Sequence, residues 1–300
     1  MTEFALLTEV ADELGLDPAV IPSVVRRDVE VASGQRLSAL VWGQGEPELV
    51  LLHGGGQNAH TWDLVALLLG RPAVAIDLPG HGHSDWRPDH DYGPVRNAEP
   101  VAAAIEQLAP RADVVVGMSL GGLTLIRLGA IRPDLVRRAV VVDVTPGSRE
   151  ITATMTVEQR GTTALIDGQR TFASREEMVE AAVRASPRRP ASAVRRGVIH
   201  NSRQHPDGTW GWRYDVRDFS DERALAERRG LWDDLRTLAM PCLFVIGGDS
   251  GFASPEHLAE VGRSIASVQI VHVPGAGHAV QSDQPRALAS LIEDFRHSRG

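Results

Sequence analysis

The stretch Val114-Val-Val-Gly117-Met118-Ser119-Leu120-Gly121-Gly122 decides the fold. A short apolar run leads straight into a G-x-S-x-G pattern, and residues 120–131 follow with helical spacing. A serine placed there sits on a tight strand-to-helix turn. The small neighbours Gly117 and Gly121 let that turn close without a steric clash. The turn lifts the Ser119 hydroxyl clear of the sheet at a helix N-terminus, where developing negative charge is favoured. Ser119 is therefore the candidate nucleophile, the Leu120 N–H a candidate oxyanion donor, and Met118 a candidate wall of the substrate pocket. A glycine-rich turn with an ordinary N-cap serine would be the bland alternative.

Working outward, further short apolar runs stand at Leu49–Leu52, Ala73–Ile76, Ala139–Val142, Leu243–Ile246 and Val268–Val273. Runs of four to six such residues, with helical stretches between, read as parallel strands buried on both faces. The intervening helices are expected over 61–69, 95–108, 120–131, 254–265 and 284–297. Residues 28–42 alternate apolar and polar and read as an antiparallel pair at the sheet edge. Together these predict an α/β fold with a mostly parallel, doubly wound sheet. Residues 1–27 read as a leader, with Phe4, Leu7, Val10, Ala11 and Leu14 on one helical face. Residues 147–235 break the alternation and carry arginines and three tryptophans. They read as a helical cap inserted into a core made of residues 28–146 and 236–300.

Two more motifs carry chemistry. Leu52-His53-Gly54-Gly55-Gly56 ends a strand in a glycine-rich loop. An acyl-transfer site needs two backbone N–H groups aimed at the forming oxyanion, and glycines let the backbone come close. Gly55 is the expected second donor, with Gly56 as the fallback. His53 reads as a structural hydrogen-bonder. Near the C-terminus, Val273-Pro-Gly275-Ala-Gly277-His278 places a histidine after a strand end, and histidine suits the work of taking a serine proton at neutral pH. In the insertion, Trp210, Trp212 and Tyr214 alternate and could line a pocket with His200, or could simply fasten the insertion down. No His-x-Glu or H-E-x-x-H spacing suggests a metal, so no metal or other cofactor is expected.

Composition narrows the classes. The 300 residues hold 31 basic and 39 acidic side chains, a formal charge of −8. All the basic ones are arginine, since the chain contains no lysine. A lysine Schiff base and a Walker A lysine are thereby excluded. The acidic balance disfavours nucleic acid and anionic membranes as partners and leaves a small-molecule substrate. One cysteine, Cys242, makes no internal disulfide, which fits a reducing, cytoplasmic setting. No signal peptide and no transmembrane run is expected.

The elbow, the glycine loop and the late histidine, together with Asp77-Leu-Pro-Gly-His-Gly-His-Ser84, resemble the α/β-hydrolase superfamily. Within it, the chain looks like the cap-bearing group of esterases and C–C bond hydrolases. The resemblance implies a cofactor-free serine hydrolase with the triad order Ser119 then His278. It acts on a small or medium carboxylic ester, lactone or thioester through an acyl-enzyme. The alternatives are C–C hydrolysis of a vinylogous diketone, or a ligand-sensing receptor with little turnover. The acid stays open. The superfamily's usual positions after Gly247 are Ser250 and Gly251, which cannot serve. Asp249 falls short of them, whereas Asp143 follows the preceding core strand, a second position the superfamily uses.

Overall fold

The structure, a computed structural model, describes residues 2–31, 34–166, 168–187, 189–215 and 222–298. Its centre is an eight-stranded sheet in the order β1-β2-β4-β3-β5-β6-β10-β11. The strands are β1 (Val24–Val31), β2 (Gln35–Trp42), β3 (Leu49–Leu52), β4 (Ala73–Ile76), β5 (Val114–Met118), β6 (Ala139–Val142), β10 (Cys242–Gly247) and β11 (Val268–Val273). β1 and β2 pair antiparallel, β2 is antiparallel to β4, and the remaining pairs are parallel. Residues 24–27, expected in the leader, already pair with β2.

The sheet is buried on both faces because the side-chain period of a strand is two. Val50, Leu52, Val115, Val141 and Phe244 point into one apolar cluster. Leu49, Leu51, Val114, Val116, Val140 and Leu243 point into the other. The helices α3 (Pro94–Leu108), α4 (Leu120–Ile131) and α10 (Pro255–Ser264) send Ile105, Ile126 and Val261 into the first cluster. The second receives α1 (Leu7–Glu13), α2 (Asp63–Leu69) and α12 (Pro285–His297), through Val10, Val65 and Ile292.

The segment between β6 and β10 holds the short helices α5 (Ser148–Thr152) and α6 (Val157–Arg160), then α7 (Arg175–Arg184), α8 (Ala191–Asn201) and α9 (Glu222–Arg236). It also holds a small antiparallel sheet of β7 (Thr171–Phe172), β8 (Ser202–Gln204) and β9 (Trp210–Trp212). Phe172, Met178, Val194, Val198, Trp212 and Tyr214 form a separate small core there. The end of this segment differs from the boundary expected at 235. Leu231 and Leu235 of α9 are fully buried in the main core cluster, so α9 is a core helix. Eight of its fifteen residues are charged, which hid that face in the sequence. One more short helix, α11 (Val280–Asp283), follows the β11 loop. Among the described residues, no helix is long and apolar enough to cross a membrane.

Candidate active site

Ser119 stands between β5 and α4 with φ 50° and ψ −114°, a strained conformation for a residue with a side chain. Two close approaches hold it. A Cβ on Gly121 would lie 2.4 Å from the carbonyl oxygen of Leu52, and one on Gly117 would lie 2.4 Å from that of Gly121. Only glycine permits the helix to start so near strand β3. The Ser119 N–H donates to Val142 O at 3.0 Å, which ties the elbow to the neighbouring strand.

Asp143 follows that strand and is also held at positive φ, 51°. Its carboxylate is fully buried. Oδ1 accepts from Gly247 N at 2.9 Å, and Oδ2 accepts from the Ser250 hydroxyl at 2.5 Å and lies 2.7 Å from His278 Nδ1. Nδ1 thus faces Asp143, and Nε2 is the ring nitrogen turned away from it. Nε2 is buried without a hydrogen-bond partner among the described residues. The Phe252 ring stacks on the imidazole, centroids 3.5 Å apart at 12°. Of the two candidate aspartates, Asp143 is the one that meets the His278 ring. Asp249 is exposed on the loop after β10, where its N–H donates to Ala276 O. Ser250, at the position that would ordinarily hold the acid, instead hydrogen-bonds Asp143.

Ser119, His278, Leu120, Gly55 and Met118 line a chamber of about 770 Å³ roofed by α5, α6 and the residues Ala185, Ser186 and Pro187. In the glycine loop, Gly54 N donates to Gln57 Oε1 and Gly56 N to His81 Nε2. The fallback donor Gly56 is thus already spent, at φ 70°, while Gly55 N has no acceptor among the described residues. The Leu120 N–H, in the first turn of α4, also has no intrahelical acceptor.

His53 lies behind this loop. Its Nδ1–H donates to Gly54 O at 2.8 Å, and its Nε2 accepts from Leu78 N at 2.9 Å. Burial, reinforced by the neighbouring His81, pushes its pKa down to about 3. It is a neutral strut. Asp77 similarly knots the loops together, accepting from Ala59 N, His83 N and Arg26 Nη1.

The remaining pocket candidates sit elsewhere. His200, Trp212 and Tyr214 line a second, smaller chamber of about 170 Å³ on the other side of Gly55, Gln57 and Ile166. Trp210 lines neither chamber, and the Arg175 guanidinium lies 4.1 Å over its ring. The alternation of the aromatic residues is real. Its inward member, Trp212, stacks on Tyr214 at 5.8 Å within the insertion's own core. Sequence reading also missed Arg189, which borders both chambers, and the meeting of His60, Asp63 and His200. Spacing could not reveal that meeting, because α8 returns to the core only in three dimensions. Burial opposes charge on His60, but Asp63 and Glu3 outweigh it and raise its pKa to about 9. Burial, with His60 beside it, pushes His200 down to about 3.

The model of the alpha/beta hydrolase family matches residues 49–291. The chain belongs to that family. As a member it is a hydrolase, and the strained serine, the glycine loop and the buried Asp143–His278 pair stand where the match runs. It is 48% identical to "Esterase Rv0045c" of Mycobacterium tuberculosis, over the whole of this chain and 97% of that one. A solved structure of that esterase, from work on its transition-metal inhibition, superposes with a TM-score of 0.87 at 47% identity, covering 99% of each chain. The chain is also 30% identical to the 2-(acetamidomethylene)succinate hydrolase of Mesorhizobium japonicum, over 83% of this chain and 87% of that protein.

Proposed function

We propose that this hydrolase cleaves small or medium carboxylic esters through an acyl-enzyme on Ser119. The observation that carries the reading is the buried Asp143–His278 pair, whose free Nε2 opens on the same chamber as the Ser119 hydroxyl. Nε2 takes the Ser119 proton as Oγ attacks the ester carbonyl. The tetrahedral oxyanion is held by the N–H groups of Gly55 and Leu120, each donor of this kind contributing roughly 3 kcal/mol to the barrier reduction. Collapse expels the alcohol, which takes its proton from His278. A water then gives its proton to Nε2, attacks the acyl carbon and releases the acid. Asp143 stabilises the imidazolium in both halves and stays ionised.

The similarity to an esterase over the full chain supports the ester as substrate class. The insertion serves as the cap that shapes the chamber, and the single buried thiol suits a cytoplasmic setting. Susceptibility to transition metals, the property studied in the M. tuberculosis relative, is proposed for this chain too. The test is turnover of a p-nitrophenyl ester panel by wild type and Ser119→Ala. Wild-type turnover that falls at least 10³-fold in the variant supports the reading (roughly the loss expected when a triad nucleophile is removed), and unchanged turnover in the variant sinks it.

C–C hydrolysis of a keto acid retains one specific support. The Arg189 guanidinium has its pKa lowered by burial, has no ion-paired carboxylate among the described residues, and borders both chambers. It could hold a substrate carboxylate. A vinylogous diketone acid cleaved faster than any simple ester would favour that reading.

A further inference from the structure

Outside the Ser119 chamber, three side chains from separate parts of the chain converge. One ligand atom from each of His60, Asp63 and His200 lies within 4.8 Å of the other two. All three border the smaller chamber. His60 and Asp63 belong to the core, on the turn after the glycine loop and the first turn of α2. His200 belongs to the last turn of α8 in the insertion. The His60 ring is gripped by carboxylates at both ends, with Nδ1 2.9 Å from Asp63 and Nε2 3.2 Å from Glu3. His200 lies flat against it, centroids 3.6 Å apart at 16°, yet its ring makes no hydrogen bond among the described residues. The His200 ring is half-buried on the wall of that chamber, so its nitrogens are free to take a ligand that enters it.

We propose that His60, Asp63 and His200 bind a divalent transition-metal ion of the zinc, nickel or cobalt class, and that the ion slows turnover by fastening the insertion to the core. Two imidazoles and one carboxylate suit such ions and not magnesium or calcium, which prefer all-oxygen sites. The ion replaces the proton between His60 Nδ1 and Asp63. His60 Nε2–H stays on Glu3, the outer-shell carboxylate that metal-bound histidines commonly keep. Metal bonds of about 2.0–2.1 Å place tetrahedral ligand atoms about 3.4 Å apart. The three groups must therefore draw together, and His200 gives up no hydrogen bond when it moves.

That movement reaches the oxyanion loop. Asn201, next to His200, donates from Nδ2 to Gly56 O at 2.6 Å, and Asn58 Nδ2 donates to Asn201 Oδ1 at 3.3 Å. A shift of the α8 terminus thus pulls on Gly56 and, through it, on the neighbouring Gly55. Inhibition should appear in kcat more than in KM, because the ion lies outside the Ser119 chamber.

The inhibitory half of the proposal rests on the ester-hydrolase reading, whereas the binding half does not. The experiment uses the full chain in four forms: wild type, Ser119→Ala, His200→Phe and His200→Asn. Co²⁺ binding is followed by visible absorbance and Zn²⁺ binding by calorimetry, with thermal melts to establish that each variant is folded. Phenylalanine keeps the stack on His60 and removes the lone pair. Wild type and Ser119→Ala should bind one ion per chain, with tetrahedral-type Co²⁺ bands. Both His200 variants should bind at least 10-fold more weakly, and the metal concentration that halves wild-type turnover should rise by the same factor in them. No binding by wild type would overturn the proposal. So would undiminished binding or inhibition in folded His200 variants, which would move the ligand to His278. Ester turnover persisting in Ser119→Ala would instead sink the hydrolase reading and leave the binding result standing.

Discussion

Ser119 and Asp143 end adjacent strands with the same backbone anomaly, φ near +50° on residues with side chains. Such strain costs of order 1–3 kcal/mol per residue and persists where the surroundings enforce it. Here it turns both side chains out over the sheet edge, one toward the chamber and one toward His278. Asp143→Asn should lower kcat by ~10⁴-fold, because an amide no longer enforces the Nδ1–H tautomer. Asp249→Asn should change it far less, since Asp143 and not Asp249 holds His278 Nδ1. Steady-state kinetics on one ester separates the two. Ser119, the glycines around it and His278 were legible in the sequence because strand, turn and chemistry are contiguous there. Which aspartate meets the His278 ring was not, since that depends on how β6 and β10 present their loops to one ring. His53 supplies a pH test. It stays neutral in the folded protein down to about pH 3, while an unfolded histidine protonates below about 6.5. Its contribution is therefore complete above pH 6.5 and is lost as the pH falls toward 3, by about 1.4 kcal/mol per pH unit. Unfolding free energies from urea melts at pH 7 and 5.5 should differ by about 1–1.5 kcal/mol more in wild type than in His53→Gln. Equal differences would refute the assignment.

At the scale of elements, the elbow works because β3, β5 and α4 touch through glycine. A methyl group at Gly121 would meet the backbone oxygens of Leu52 and His53 at 2.4 and 2.7 Å, and backbone cannot swing aside as a side chain can. Gly121→Ala should cost about 2–4 kcal/mol of stability and shift the Leu120 donor, lowering turnover as well. A chemical-denaturation curve coinciding with wild type would contradict this packing account. The core strands were readable because each shows the continuous apolar run that burial on both faces requires. The insertion was less so. Its strands are two or three residues long, and its aromatic residues face three different environments: a small core, a chamber wall and an arginine. Trp210 and Trp212 share one face of β9 and both pack against the small core, but Trp210 stands further out, beneath the Arg175 guanidinium.

Across the whole molecule, the leader couples to both parts. Leu7, Val10 and Leu14 pack in the core cluster beside α2 and α12, while Val10 also borders the smaller chamber. Glu13 at the end of α1 pairs with the nearly buried Arg196 of α8. The N-terminal helix thus holds the insertion down from outside. Glu13→Gln should leave Arg196 without its paired carboxylate and cost about 1–3 kcal/mol, a partial value because Glu13 is half exposed. Differential scanning calorimetry checks this, and Glu9→Gln, an exposed neighbour on the same helix, serves as the control. The central claim is that one strained serine is made nucleophilic by the Asp143–His278 pair. The most direct test is fluorophosphonate labelling of the full chain, read by peptide mass spectrometry in wild type and His278→Ala. The account predicts a single adduct on Ser119 in wild type and loss of labelling in the variant. An adduct on another residue, or equal labelling of Ser119 without His278, would contradict it.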